Sequence, residues 1–265
     1  MSYLTADLDT GPRPGEAELR EYSAKQPTAG MTEAERRARD RILYIRSYLF
    51  MRAMIGFIGI ALPIVLVIGN GLFVHGDLGI RSSLSGYYHS GMRDVFVGSL
   101  CAIGVFLIAY KVFEHNLDNT LSVLAGLSAF VVALFPTGLP SNSDTPLTPL
   151  QQRFGEVKIE VIHYTSASVF IISLAAMSYF FGVREGNRSQ VRGGERSRFS
   201  PTFWRWFHWG CTILIGLAIA FVVITQLGGW LKGYSLLIGE VVVVLAFGAS
   251  WLAKGLELRV LRIPD

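Results

Sequence analysis

Two histidines, three glutamates and an aspartate stand out because they border or interrupt long apolar runs. His89 and Asp94 fall in "SLSGYYHSGMRD" (residues 83–94), with Ser85, Tyr88 and Arg93 beside them. Glu156, Glu160 and His163 fall in "EVKIEVIH", and Glu240 falls in "LLIGEVVVVLAF". Imidazole and carboxylate are ligands for zinc and similar divalent cations, and both groups also exchange protons. One assignment gives a Zn or another divalent metal to His89, His163 and Glu240, with Asp94, Glu160 or Glu240 as general base on bound water. The same set suits the passage of protons or cations through Glu240 and His163, or recognition of a polar head group. A plainer account makes Tyr87, Tyr88 and His89 interfacial anchors and Arg93–Asp94 a local ion pair.

Spacing sharpens two of these groups. Glu156, Glu160 and His163 recur at i, i+4 and i+7, which places them on one helical face. Glu-x-x-His is a spacing by which one helix presents two ligands to a metal, although carboxylate di-metal sites use two copies. Glu240 lies about seven residues into an apolar segment, so about 10 Å deep at the helical rise. A charge at the centre of a membrane helix costs about 2.5–3.5 kcal/mol on insertion scales unless it is paired, protonated or hydrated. Glu240 is therefore expected to face a bundle interior, with Arg93 as a candidate partner.

The elements that must position these residues are membrane spans. The 265-residue chain is 51% hydrophobic and 17% charged, with a mean hydropathy of +0.41. Soluble domains carry nearer a quarter charged residues. Six segments, 53–74, 94–113, 119–139, 159–182, 207–228 and 233–253, approach the ~20 apolar residues that a bilayer crossing needs. They lack the alternation of a membrane β-barrel. The expected fold is all-α, a polytopic bundle of six transmembrane helices.

Basic residues orient it. Arg36, Arg37, Arg39, Arg41, Arg46, Arg52, Lys111, Arg184, Arg188, Arg192, Arg196, Arg198, Arg205, Lys254, Arg259 and Arg262 fall on one side. Only Arg81, Arg93, Arg153, Lys158 and Lys232 fall on the other. Both termini are expected in the cytoplasm, and the chain in the plasma (inner) membrane of a bacterium. The net charge of +4 is absorbed by this topology and gives no case for nucleic acid.

Residues 1–31 are polar, lack the basic and apolar regions of a cleaved signal peptide, and are expected to be mobile. Residues 32–52 form a basic cytoplasmic helix leading into span one, capped by Thr32 with Glu35 in capping-box spacing. Residues 53–253 make the transmembrane domain and 254–265 a cytoplasmic tail. Pro63 is expected to kink the first span. Gly56, Gly59, Gly98, Gly104, Gly210, Gly216, Gly239 and Gly248 mark candidate close approaches, without the strict GxxxG spacing of a particular dimer. Trp204, Trp206, Trp209 and His208 read as an aromatic belt at the cytoplasmic interface. Cys101 and Cys211 lie in apolar runs on different segments and suggest no disulfide.

"SGYYH" at 85–89 followed by Arg93-Asp94 resembles a motif of the transmembrane hydrolase superfamily of alkaline ceramidases, progestin and adipoQ receptors and haemolysin-III proteins. The resemblance implies a Ser-x-x-x-His pair and an aspartate, here Ser85, His89 and Asp94, helping to form a zinc site for lipid amide or ester cleavage. That superfamily has seven spans and a late His-x-x-x-His, which this chain lacks. His163 and Glu160 or Glu240 would have to stand in. The chain as a whole resembles six-span bacterial membrane proteins of unassigned function, in "YYHSGMRDVFVG", "VALFPTG" and "FGASWLAKG".

Three functional classes stay open. One is a metal-dependent hydrolase acting on a lipid or amphiphile at the outer leaflet. Another is a channel or transporter for a proton, cation or small solute, which needs polar residues continuing toward the cytoplasm. The third is a non-catalytic lipid-binding or assembly subunit, with membrane lipids, a second copy or a membrane complex as partner. No phosphate-binding Gly-rich loop and no lysine placed for a retinal Schiff base is found.

Overall fold

A computed structural model of the protein describes residues 31–73, 79–110, 117–139, 145–188, 200–231 and 233–256. The expected mobile segment lies outside them except for its last residue, as does the tail beyond Leu256. The described residues are all-helical. The helices are α1 (Glu33–Phe73), α2 (Arg93–Ala109), α3 (Leu117–Leu134), α4 (Pro149–Phe154), α5 (Glu156–Arg188), α6 (Pro201–Gly228) and α7 (Ser235–Leu256). A short 3-10 helix, Ser85–His89, precedes α2. Five helices, α1, α3, α5, α6 and α7, are long and apolar enough to cross a membrane. The remaining expected span is α2, which has 17 described helical residues.

Local chemistry sets the boundaries. Thr32 and Glu35 form the expected capping box: Glu35 accepts the Thr32 N–H at 2.7 Å and Thr32 accepts the Glu35 N–H at 3.3 Å. The basic segment and the first span are one helix, continuous through Pro63. Two compact units divide the chain between Ser47 and Tyr48, and the packing below concerns the second. The third expected span, 119–139, stops at Leu134 because Pro136 restricts the residue before it and cannot extend a hydrogen-bonded turn. Sequence reading missed α4. Thr148 caps it in a full capping box with Gln151, Pro149 stands in its first turn, and Gly155 at φ 90° turns the chain directly into α5. Ser200 caps α6, which ends on left-handed Gly229.

The pairs α2–α3, α3–α5 and α6–α7 run antiparallel, as contacts in reversed register establish. Gly104 meets Gly126 and Ser122 bonds the Leu107 carbonyl across α2 and α3. Phe135 lies against His163 and Asp118 against Arg184 across α3 and α5. His208 meets Ser250, and Gln226 meets Ser235, across α6 and α7. α1 crosses α7 so closely that a Cβ on Gly56 would lie 2.3 Å from the Leu252 nitrogen, and one on Gly248 2.9 Å from the Gly56 carbonyl. Gly59, Gly104 and Gly239 also meet neighbouring helices, whereas Gly98, Gly210 and Gly216 face open space. The core between the helices includes Ile55, Leu66, Leu107, Leu174, Met177, Phe181, Phe247 and Trp251. α6 leaves Ile213, Leu217 and Ile224 exposed, as a helix facing lipid does.

Candidate functional site

Polar side chains gather at the two ends of this bundle. At the end where α2, α5 and α7 begin, two irregular stretches of backbone meet them. The first is residues 82–89. Its Ser82 carbonyl accepts the Leu237 N–H at 2.9 Å, tying it to the first turn of α7. One turn deeper, Glu240 Oε2 accepts the Leu84 N–H at 2.5 Å and Oε1 accepts the Ser85 hydroxyl at 3.3 Å. Ser83 accepts the Gly86 N–H at 2.8 Å. A carboxylate thus holds the free amides at the start of the 3-10 helix, where an anion is favoured.

The second stretch, 135–139, leaves the end of α3, where the Phe135 N–H still bonds the Val131 carbonyl of that helix. His163, 1% exposed, donates from Nδ1 to the Phe135 carbonyl at 2.6 Å. His89 donates from Nε2 to the Thr137 carbonyl at 2.9 Å, and Gln151 donates to the same oxygen at 3.1 Å. Glu156 accepts the Leu139 N–H at 2.7 Å. Glu160 lies against the chain where Gly138 leaves room: a Cβ there would be 3.0 Å from its Oε1. The single helical face carrying Glu156, Glu160 and His163 is therefore used to clasp a strip of open backbone. Each carbonyl partner fixes the histidine tautomer, leaving a lone pair on His89 Nδ1 and on His163 Nε2.

Arg93 and Asp94 take no part. Both are exposed. Arg93 donates to the Tyr88 hydroxyl at 2.8 Å and lies over its ring, pairing with neither Asp94 nor Glu240. Ser85 and His89 do not converge either. Four residues apart on a 3-10 helix, they are separated by about 120°, against about 40° on an α-helix. Ser85 turns to Glu240 and His89 to Thr137. Among the described residues no three His, Cys, Asp or Glu side chains are grouped to hold a metal. Glu240 and Glu156 are committed to backbone amides.

The opposite end holds a polar cluster that sequence reading missed. Asp118 pairs with Arg184, and Lys254 with Glu185. Four of the cluster's charged groups, Arg52, Asp118, Glu185 and Lys254, are each at most 6% exposed. Arg52 donates from Nε to the Tyr110 hydroxyl and from Nη2 to the Tyr48 hydroxyl, both at 2.8 Å. Its guanidinium also lies 4.6–5.0 Å from the ring centres of Tyr48, Tyr110 and Phe181. Trp251 closes the aromatic box against Tyr110 and Phe181. His208, expected in an interfacial belt, is instead fully buried with Nδ1 2.9 Å from Ser250. Trp206 alone of that group is strongly exposed.

Arg52, Arg184 and Lys254 had been read only as topology signals. The clue was Asp118, an acid at the helix end where basic residues collect. Neither family models nor characterised proteins nor solved structures yield a match to this chain.

Proposed function

We propose that the protein is a six-span plasma-membrane protein with both termini in the cytoplasm, and that it passes protons or another small cation between its two polar ends. α2 serves as the sixth span in this reading. The observation that carries it is the burial of ionisable groups at both ends of the same two helices. α5 bears buried His163 at one end and buried Glu185 at the other, and α7 bears half-buried Glu240 and buried Lys254. At ~1.5 Å per residue these pairs are about 33 Å and 21 Å apart, comparable with a hydrocarbon core of about 30 Å. Ionisable residues inside spans are costly, and they commonly mark ion or proton pathways.

Glu240 supplies a gate in this account. As a carboxylate it accepts the Leu84 N–H and the Ser85 hydroxyl. A proton on Glu240 weakens it as an acceptor and loosens Leu84 and Ser85, while the Ser82 carbonyl stays on the Leu237 N–H. His163 keeps a lone pair on Nε2 to take up the proton. The hydrolase reading gains no geometric support, because Ser85, His89 and Asp94 face different ways.

Proteoliposomes with trapped pyranine under an imposed pH gradient test the proposal. Wild type is expected to acidify the lumen faster than empty vesicles, with Glu240→Gln and His163→Ala near the empty-vesicle rate. Wild type indistinguishable from empty vesicles would overturn proton passage.

A further inference from the structure

Among the described side chains of the Arg52 cluster, cations outnumber carboxylates. Three cations, Arg52, Arg184 and Lys254, meet two carboxylates, Asp118 and Glu185, and both carboxylates are paired. Arg52 is the remainder. It is 5% exposed, yet no carboxylate among the described residues pairs with it. Two of its nitrogens reach tyrosine hydroxyls. Aromatic faces attract a guanidinium, but they do not neutralise it or accept its remaining N–H groups. A buried ion left in that condition is strongly unfavourable unless an anion joins it.

The surroundings are those of an oxyanion receptor. The Arg52 guanidinium is held in one plane by the Tyr48 and Tyr110 hydroxyls and by ring contacts, so its fork is preorganised. Arg184, paired with Asp118, lies close enough to interact electrostatically with Arg52, Tyr48 and Tyr110. Two further buried donors nearby, Trp251 Nε1 against the aromatic box and Ser178 Oγ one turn from Phe181 on α5, lack a hydrogen-bond partner among the described residues. We propose that this cluster, centred on Arg52 with Arg184, Tyr48 and Tyr110, binds a phosphate-type oxyanion, presented by an anionic lipid head group or by a free phosphate. A guanidinium fork matches two oxygens of such a group and forms charge-assisted hydrogen bonds with it. The site goes beyond the cation pathway and does not depend on it.

Full-length protein in nanodiscs separates the two sources. In phosphatidylcholine nanodiscs, inorganic phosphate is titrated against a chloride control of equal ionic strength. In a second series the phosphatidylglycerol fraction is raised without phosphate. The melting temperature is followed in both. A saturable rise with phosphate assigns a free anion, and a rise with phosphatidylglycerol alone assigns a head group. Arg52→Met is expected to weaken the response at least about tenfold, the loss of one charge-assisted bond. The surface pair Arg36→Gln/Arg37→Gln is expected to retain it. No rise in either series, or a rise that Arg52→Met leaves intact, overturns the proposal. Should Arg52→Met fail to fold, Tyr110→Phe takes its place: it removes the hydroxyl that orients Arg52 and is held to the same tenfold criterion.

Discussion

The carboxylate of Glu240, on α7, accepts the backbone N–H of Leu84 at 2.5 Å across 156 positions of sequence. This contact joins a titratable group in a candidate span to the 3-10 segment just before α2. It gives that glutamate a mechanical role as well as a chemical one. Removing the acceptor leaves a part-buried amide without a partner, at a cost of about 1–3 kcal/mol. Glu240→Ala is expected to lower the unfolding free energy by that amount and to speed hydrogen exchange at the Leu84 amide. Glu240→Gln, which keeps one oxygen acceptor, is expected to lose less.

The two histidines differ in how much backbone depends on them. The Thr137 carbonyl keeps Gln151 when His89 is removed, but the Phe135 carbonyl has only His163 among the described side chains. His163→Ala is therefore expected to destabilise by about 1–3 kcal/mol and His89→Ala by clearly less. Thermal melts of the two variants side by side check the order.

His89 also makes stability depend on pH. Burial, the larger influence, pushes its pKa below the ordinary value, with Arg93 and Arg81 adding to the effect, while the Thr137 carbonyl and Glu156 act against it. The unfolded chain then takes up a proton before the folded one does. The stabilisation linked to neutral His89 is full above the unfolded pKa of about 6.5. It is lost as pH falls from there through the lower folded pKa. Melting temperatures between pH 8 and 5 are expected to fall less in His89→Gln than in wild type.

The α1–α7 crossing has no room for a methyl group at Gly56, where a Cβ would meet the Leu252 backbone. Gly56→Ala is expected to cost about 1–3 kcal/mol through overpacking. Gly98, with nothing near its missing Cβ, is the control, and Gly98→Ala is expected to leave the melt unchanged or raised.

Hydrophobic runs made the helices legible, and helical spacing placed Glu156, Glu160 and His163 together on one face. The inward direction of Glu240 followed from the cost of exposing it to lipid. What those faces hold was not legible, because their partners are backbone groups of residues 82–86 and 135–139. No side-chain pattern announces an amide left open by a 3-10 turn or by Pro136. The Arg52 cluster escaped for another reason. Basic residues near span ends fit a topology rule that predicts snorkelling, and only the packing of the helices brings Asp118 to Arg184, across antiparallel α3 and α5, and Glu185 to Lys254, across α5 and α7, which run the same way. His208 was misread in the same way, since three neighbouring tryptophans suggested an interface while one helical face turned it toward Ser250.

The central claim is that Glu240 latches the 82–89 stretch and that protonation opens the latch. Ser83→Cys, in a background with Cys101 and Cys211 replaced by Ala, places a probe on a residue only 5% exposed. The measurement is its rate of modification by a polar maleimide, with rates corrected for the reagent's own pH dependence. The account expects slow labelling at pH 8 that accelerates on acidification, and fast labelling at every pH once Glu240→Ala, which removes the acceptor, is added. Labelling that is independent of pH, or unchanged by Glu240→Ala, would contradict it.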